Sequence, residues 1–151
     1  MKIQHITTII ILFFSTSAFS QDYADYYNSG YLKSLSENYE GAVKDLTYAL
    51  KLNPNYTKAR LARAISYQQL MNKEKNKDAK FIYYSRCTMD LDYLISQAED
   101  KRYFTLRGNT HYSWYLYSKN QKSKNSACSD WRIASSLGDT KAGEFLRDYC
   151  K

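Results

Sequence analysis

Apolar and small side chains recur every three or four residues along two adjacent stretches of the chain. Residues 23 to 36 place Tyr23, Tyr26, Tyr27, Gly30, Tyr31, Ser34 and Leu35 on one stripe. Residues 39 to 52 do the same with Tyr39, Ala42, Val43, Leu46, Ala49 and Leu50. This spacing predicts two amphipathic helices, with Ser36-Glu37-Asn38 as the polar break between them. Pro54 cannot continue the second helix and disfavours helical backbone at Asn53, so the chain turns back there. Two helices approach to ~8 Å only where the side chains at the crossing are small. Gly30 and Ala42 suit that crossing, and Ala49 suits contact with the next helix.

The stretch YYNSGYLKSLSENYEGAVKDLTYALKLNPNY carries Tyr26, Gly30, Tyr39, Ala42, Leu46, Ala49 and Pro54. In that pattern it resembles a tetratricopeptide repeat, a helix–turn–helix unit of about 34 residues. Two weaker copies follow. TKARLARAISYQQLM aligns with a first helix, Ala64 standing in the place of Gly30, and YYSRCTMDLDYLISQA with a second helix, where Cys87, Leu91 and Leu94 replace Ala42, Leu46 and Ala49. A third unit starts at RYFTLRGNTHY with Gly108 and continues as NSACSDWRIASSLGD with Ala127, Trp131 and Ala134. The segment TKAGEFLRDYCK places Ala142, Phe145, Leu146, Tyr149 and Cys150 on one face, as a helix that covers the last unit of an array would. ACSDWRIASSLGDTKAGEFLRDYC also resembles the ending of exported bacterial tetratricopeptide proteins. The expected fold is therefore all-α: a short right-handed α-solenoid of about three units (about 23–56, 57–99 and 100–139) with a capping helix at 140–150.

The later units are longer than the first. Gly30 and Ala42 are 12 residues apart, Ala64 and Cys87 are 23 apart, and Gly108 and Ala127 are 19 apart. The extra residues extend the start of one helix through Phe81, Ile82, Tyr83 and Tyr84, and the end of the next through Trp114, Tyr115, Leu116 and Tyr117. In antiparallel succession these extensions lie side by side. An aromatic projection is expected there, capped by basic loops near Lys73–Lys80 and Lys119–Lys124.

Ahead of all this, Lys2, an apolar run from Ile9 to Phe14 and a small-residue stretch ending Ala18-Phe19-Ser20 match a secretory signal peptide over residues 1–20. The run is short for a span of about 20 apolar residues, which opposes an uncleaved anchor. The mature chain, residues 21–151, is then expected to be exported, periplasmic or extracellular, in a bacterium. It would keep a net charge of +6 from the +7 of the whole. This mild excess permits an acidic partner without demanding one.

Three cysteines in an exported chain meet an oxidising compartment. Cys128 and Cys150 sit on facing stripes of helices that turn near Gly138-Asp139, so a disulfide is expected; the alternative is two thiols that merely pack. Cys87, in an alanine slot, reads as a packing thiol. No CxxC or HExxH motif and no glycine-rich phosphate loop occurs in the sequence, so no metal or other cofactor is expected. His111, the one histidine of the mature chain, lies among tyrosines. Asp90 and Asp92, two apart on a helix, point in different directions. Asn55-Tyr56-Thr57 is a glycosylation sequon of a kind common by chance. The sequence thus reads as a non-enzyme.

Tetratricopeptide arrays usually bind peptides or partner helices on the concave face lined by each unit's first helix. What the resemblance implies for this chain is a contact face of Tyr27, Asn28 and Tyr31, then Leu61, Ile65 and Gln68, then Arg102, Leu106, Asn109 and Tyr112. Tyr27 and Tyr31 stand where a carboxylate clamp would need Lys and Asn, which argues against chaperone-tail recognition. The expected partner is a protein or peptide. The alternative is an acidic envelope polymer or nucleic acid held by the basic loops, whose binding would collapse with salt.

Overall fold

A computed structural model of the protein describes residues 23–151. The stretch read as a signal peptide lies outside the described residues. Among these residues all regular structure is helical, with no strand. In order the helices are α1 (residues 23–35), α2 (Tyr39–Leu52), α3 (Thr57–Lys73), α4 (Lys77–Gln97), α5 (Lys101–Ser118), α6 (Gln121–Ser136) and α7 (Thr140–Tyr149). None of them is long and apolar enough to cross a membrane. Two compact units divide the chain, one ending at Ala59 and one running from Arg60 to Lys151.

Asparagine and aspartate punctuate the helices. Asn38, Asn76, Asp100, Asn120 and Asp139 each cap a helix start, their side-chain oxygens accepting backbone N–H groups of the first turn. A cap of this kind contributes about 1 kcal/mol. The turn after α1 has Glu37 at φ 62°, and the turn after α6 has Gly138 at φ 84°, where only glycine is unstrained.

In the first unit α1 and α2 form an antiparallel hairpin. A Cβ on Gly30 would stand 2.7 Å from Leu46 Cγ and 3.2 Å from the Ala42 carbonyl, so the helices meet at the small pair expected from the sequence. Tyr26 packs on Tyr48, and Tyr23 and Tyr27 each meet Tyr56 edge-on. Asn53 ends α2 in extended backbone ahead of Pro54.

In the second unit consecutive helices again pack antiparallel. One core holds Ala64 of α3 with Cys87, Leu91 and Leu94 of α4, joined by Tyr103 and Leu106 of α5. A second holds Phe104 of α5 with Ala127, Trp131 and Ala134 of α6 and Ala142 of α7. α5 also touches α3: the Gln68 amide N–H donates to Thr110 Oγ1 at 3.0 Å. It touches α7 as well, through Tyr112 and Tyr149, whose ring centroids are 4.8 Å apart. Alternate helices are therefore in contact as well as consecutive ones.

The insertions behave as the sequence suggests. α4 has 21 residues against 14 in α2. Its lengthened start packs on the end of α5, with Phe81 and Tyr84 at 5.5 and 5.2 Å from the Trp114 ring. Lys80 is buried there, its ammonium donating to the Met71 carbonyl and lying 5.0 Å from the Tyr117 ring centroid.

Candidate functional site

The residues expected to form a contact face fall in both units. In the first, Asn28 and Tyr31 are exposed and Tyr27 is half-buried, its ring stacked on Tyr31 and edge-on to Tyr56. In the second, Ile65 of α3 and Arg102 of α5 are exposed. Arg102 folds back as a fork onto Asp100, the cap of its own helix. Leu61 and Leu106 pack against the first core of that unit. Gln68 is buried, donating to Thr110 and to the Leu106 carbonyl. Asn109 accepts a 2.9 Å bond from the Trp131 indole N–H, and Tyr112 packs between Trp131 and Tyr149. Gln68 and Asn109 thus hold helices together. Being long polar side chains on first helices, they looked available in the sequence, and only the neighbouring helix shows what takes up their hydrogen bonds.

A feature not read from the sequence is a carboxylate at one fixed offset in each hairpin. Asp45, Asp90 and Asp130 each lie three residues after the small slot held by Ala42, Cys87 and Ala127. Each binds the residue just before the facing slot of Gly30, Ala64 or Gly108. Ser29 Oγ donates to Asp45 at 2.6 Å, beside Lys33 at the same distance. Arg63 holds both oxygens of Asp90 at 2.8 and 2.7 Å. Arg107 holds both of Asp130 at 2.9 and 2.6 Å and reaches Asp92 at 2.7 Å. The fork from Asp130 holds the Arg107 guanidinium above its usual pKa, against the burial that would lower it. The signal was present as a third recurring column beside the glycine–alanine and leucine columns.

Around Asp130 lies a further polar cluster. The Tyr84 hydroxyl is 2.9 Å from His111 Nδ1, and His111 Nε2 faces Asp130 Oδ2 at 3.8 Å. Burial pushes the His111 pKa down, and the Asp130 charge opposes that shift. Burial also raises the Tyr84 hydroxyl. The Tyr84 ring lies flat against Trp114, and both Asp130 oxygens are occupied by Arg107. This geometry ties α4, α5 and α6 together. Cys87, on the same face of α4, is buried beside Thr110 Oγ1 at 3.4 Å, and burial pushes its thiol up to about 12. A thiol so protonated is a poor nucleophile. Among the described residues no group of three or more His, Cys, Asp and Glu side chains is placed to hold a metal ion.

Cys128 and Cys150 form a disulfide, S–S 2.03 Å, across α6 and the end of α7. It borders a cleft of about 310 Å³ lined by Gln121, Lys124, Asn125, Arg132 and Lys151. Three residues with cationic side chains line it and none with an acidic side chain.

Compared with known proteins, the chain matches no family model, no curated relative and no solved structure.

Proposed function

We propose that the protein is an exported, non-enzymatic interaction module of the tetratricopeptide kind. Three hairpins and a cap would form a short right-handed solenoid that holds a peptide or partner protein on its first helices. The observation that carries this reading is one helix crossing made three times with the same parts. Gly30, Ala64 and Gly108 each face a small residue and a large one, with an aspartate bonded to the side chain before them. The contacts of α5 with both α3 and α7 support a serial stack, since they bring alternate helices of the second unit side by side. The disulfide supports an oxidising destination. A rigid receptor of this kind loses little freedom when a partner docks.

A photo-crosslinking residue at Ile65 or Arg102, in the exporting cell, tests the face. Each position should yield one discrete adduct that Met89, exposed on α4, does not. Adducts from Met89 alone would reject the assignment of the binding face to the first helices. A second reading, an acidic envelope polymer or nucleic acid held by the basic loops, is favoured by the cationic cleft beside the disulfide. It predicts binding that falls steeply as salt rises.

A further inference from the structure

The lengthened α4 and α5 end in a tip that their mutual packing does not close. Trp114 is buried beneath Phe81 and Tyr84, yet Phe81 remains 52% exposed and its neighbour Ile82 54% exposed. Across the tip Leu116 and Tyr117 are 51% and 43% exposed. Phe81 and Tyr117 both lie against Trp114, with Ile82 and Leu116 as their chain neighbours, and exposed apolar side chains gathered at one end of a helix pair mark an interaction surface. The loops on either side are basic. Residues 73–79 and 119–124 contain six lysines against two carboxylates, Glu74 and Asp78. Glu74 turns inward onto its own loop, accepting the backbone N–H groups of Lys75 and Asn76. Lys75, Lys77, Lys119 and Lys122 are exposed.

We propose that this tip docks on the surface of an anionic lipid bilayer. Ile82, Phe81, Leu116 and Tyr117 would enter the interfacial layer while the flanking lysines meet the lipid headgroups. Aromatic and aliphatic side chains beside lysines are the combination that binds at such an interface, where apolar burial and attraction to anionic lipid add. A soluble polyanion or nucleic acid would use the lysines and leave the aliphatic tip in water. The cationic cleft adjoins the tip through Lys124, which lines it and lies 5.9 Å from the Tyr115 ring of α5. Lys124, Arg132 and Lys151 there suit a lipid phosphate.

The test is sedimentation of the protein with vesicles of phosphatidylcholine alone and of phosphatidylcholine mixed equally with phosphatidylglycerol. Binding to the mixed vesicles alone, weakening as salt is raised, is the expected result. Ile82→Ser with Leu116→Ser, both at exposed positions, should weaken it by about ten-fold or more. Lys119→Glu with Lys122→Glu should weaken it by more than about twenty-fold, since each lysine near an anionic surface is worth roughly five-fold. All variants carry the same N-terminal segment as the native protein, and circular dichroism confirms their fold. Equal binding to neutral vesicles, or serine variants that bind as the native protein does, would overturn the proposal. So would tight binding of duplex DNA with none to either vesicle.

Discussion

The hairpin of α1 and α2 and that of α5 and α6 solve the same crossing with different chemistry. In both, a Cβ on the glycine would stand only 2.7 Å from a neighbour, Leu46 in one and the Trp131 indole in the other, and 3.2 Å from an alanine carbonyl. In both, an aspartate is bonded across the interface. In the first hairpin its cation is Lys33, 39% exposed, beside a serine. In the later one it is a bidentate arginine, and the carboxylate is 5% exposed with His111 facing it. The shared geometry is thus set by small residues and a carboxylate column. The energy stored at it depends on how far neighbouring helices exclude water, because charge pairs strengthen and their loss grows costlier as solvent leaves.

Removing the aspartate should separate the two hairpins most sharply. Asp130→Ala leaves Arg107 half-buried with only the exposed Asp92, and should cost about 3–5 kcal/mol in urea unfolding. Asp45→Ala strips a half-exposed lysine and should cost under about 1 kcal/mol. Equal losses would show that burial is not what distinguishes the two sites.

The glycines come next. Gly108→Ala pushes on an indole fixed by Asn109 and packed among Tyr112, Phe145 and Tyr149, and should cost about 2–3 kcal/mol. Gly30→Ala meets a leucine side chain, and should cost about 1 kcal/mol once the better helix propensity of alanine is counted. A smaller penalty at Gly108 than at Gly30 would mean that Trp131 yields more readily than its contacts imply.

The smallest expected effect is a dependence on pH confined to the later hairpin. His111 has its folded pKa depressed by burial, with Asp130 and Asp92 opposing and Arg107 reinforcing the shift. The unfolded chain therefore takes up this proton first. The stability His111 contributes is complete above its unfolded pKa of about 6.5 and is lost as the pH falls below that toward the folded value. Unfolding midpoints should decline modestly from pH 7 to 5, and His111→Gln should flatten that slope. An unchanged slope in the variant would assign it to other groups.

Much of this architecture is legible in the sequence. The break at Ser36–Asn38, the stop before Pro54, the facing slots of Gly30 and Ala42 and the pairing of Cys128 with Cys150 all follow from local periodicity and turn chemistry. These signals act within a few residues or across one tight turn, and they survive in a single chain. The contact face was less legible, because whether a side chain on a first helix is free depends on helices far along the chain. Gln68 and Thr110 are 42 residues apart, and the Asn109 carbonyl is taken by Trp131, 22 residues on.

By itself the sequence determined where helices begin, stop and come close, since capping, periodicity and small-residue slots are local properties of the chain. Tertiary structure alone decided which aspartate is sealed from water, which tyrosine meets the imidazole, and which aromatic side chains of the lengthened helices stay outside. Burial and ion pairing are sums over neighbours drawn from several helices, and no single segment contains them.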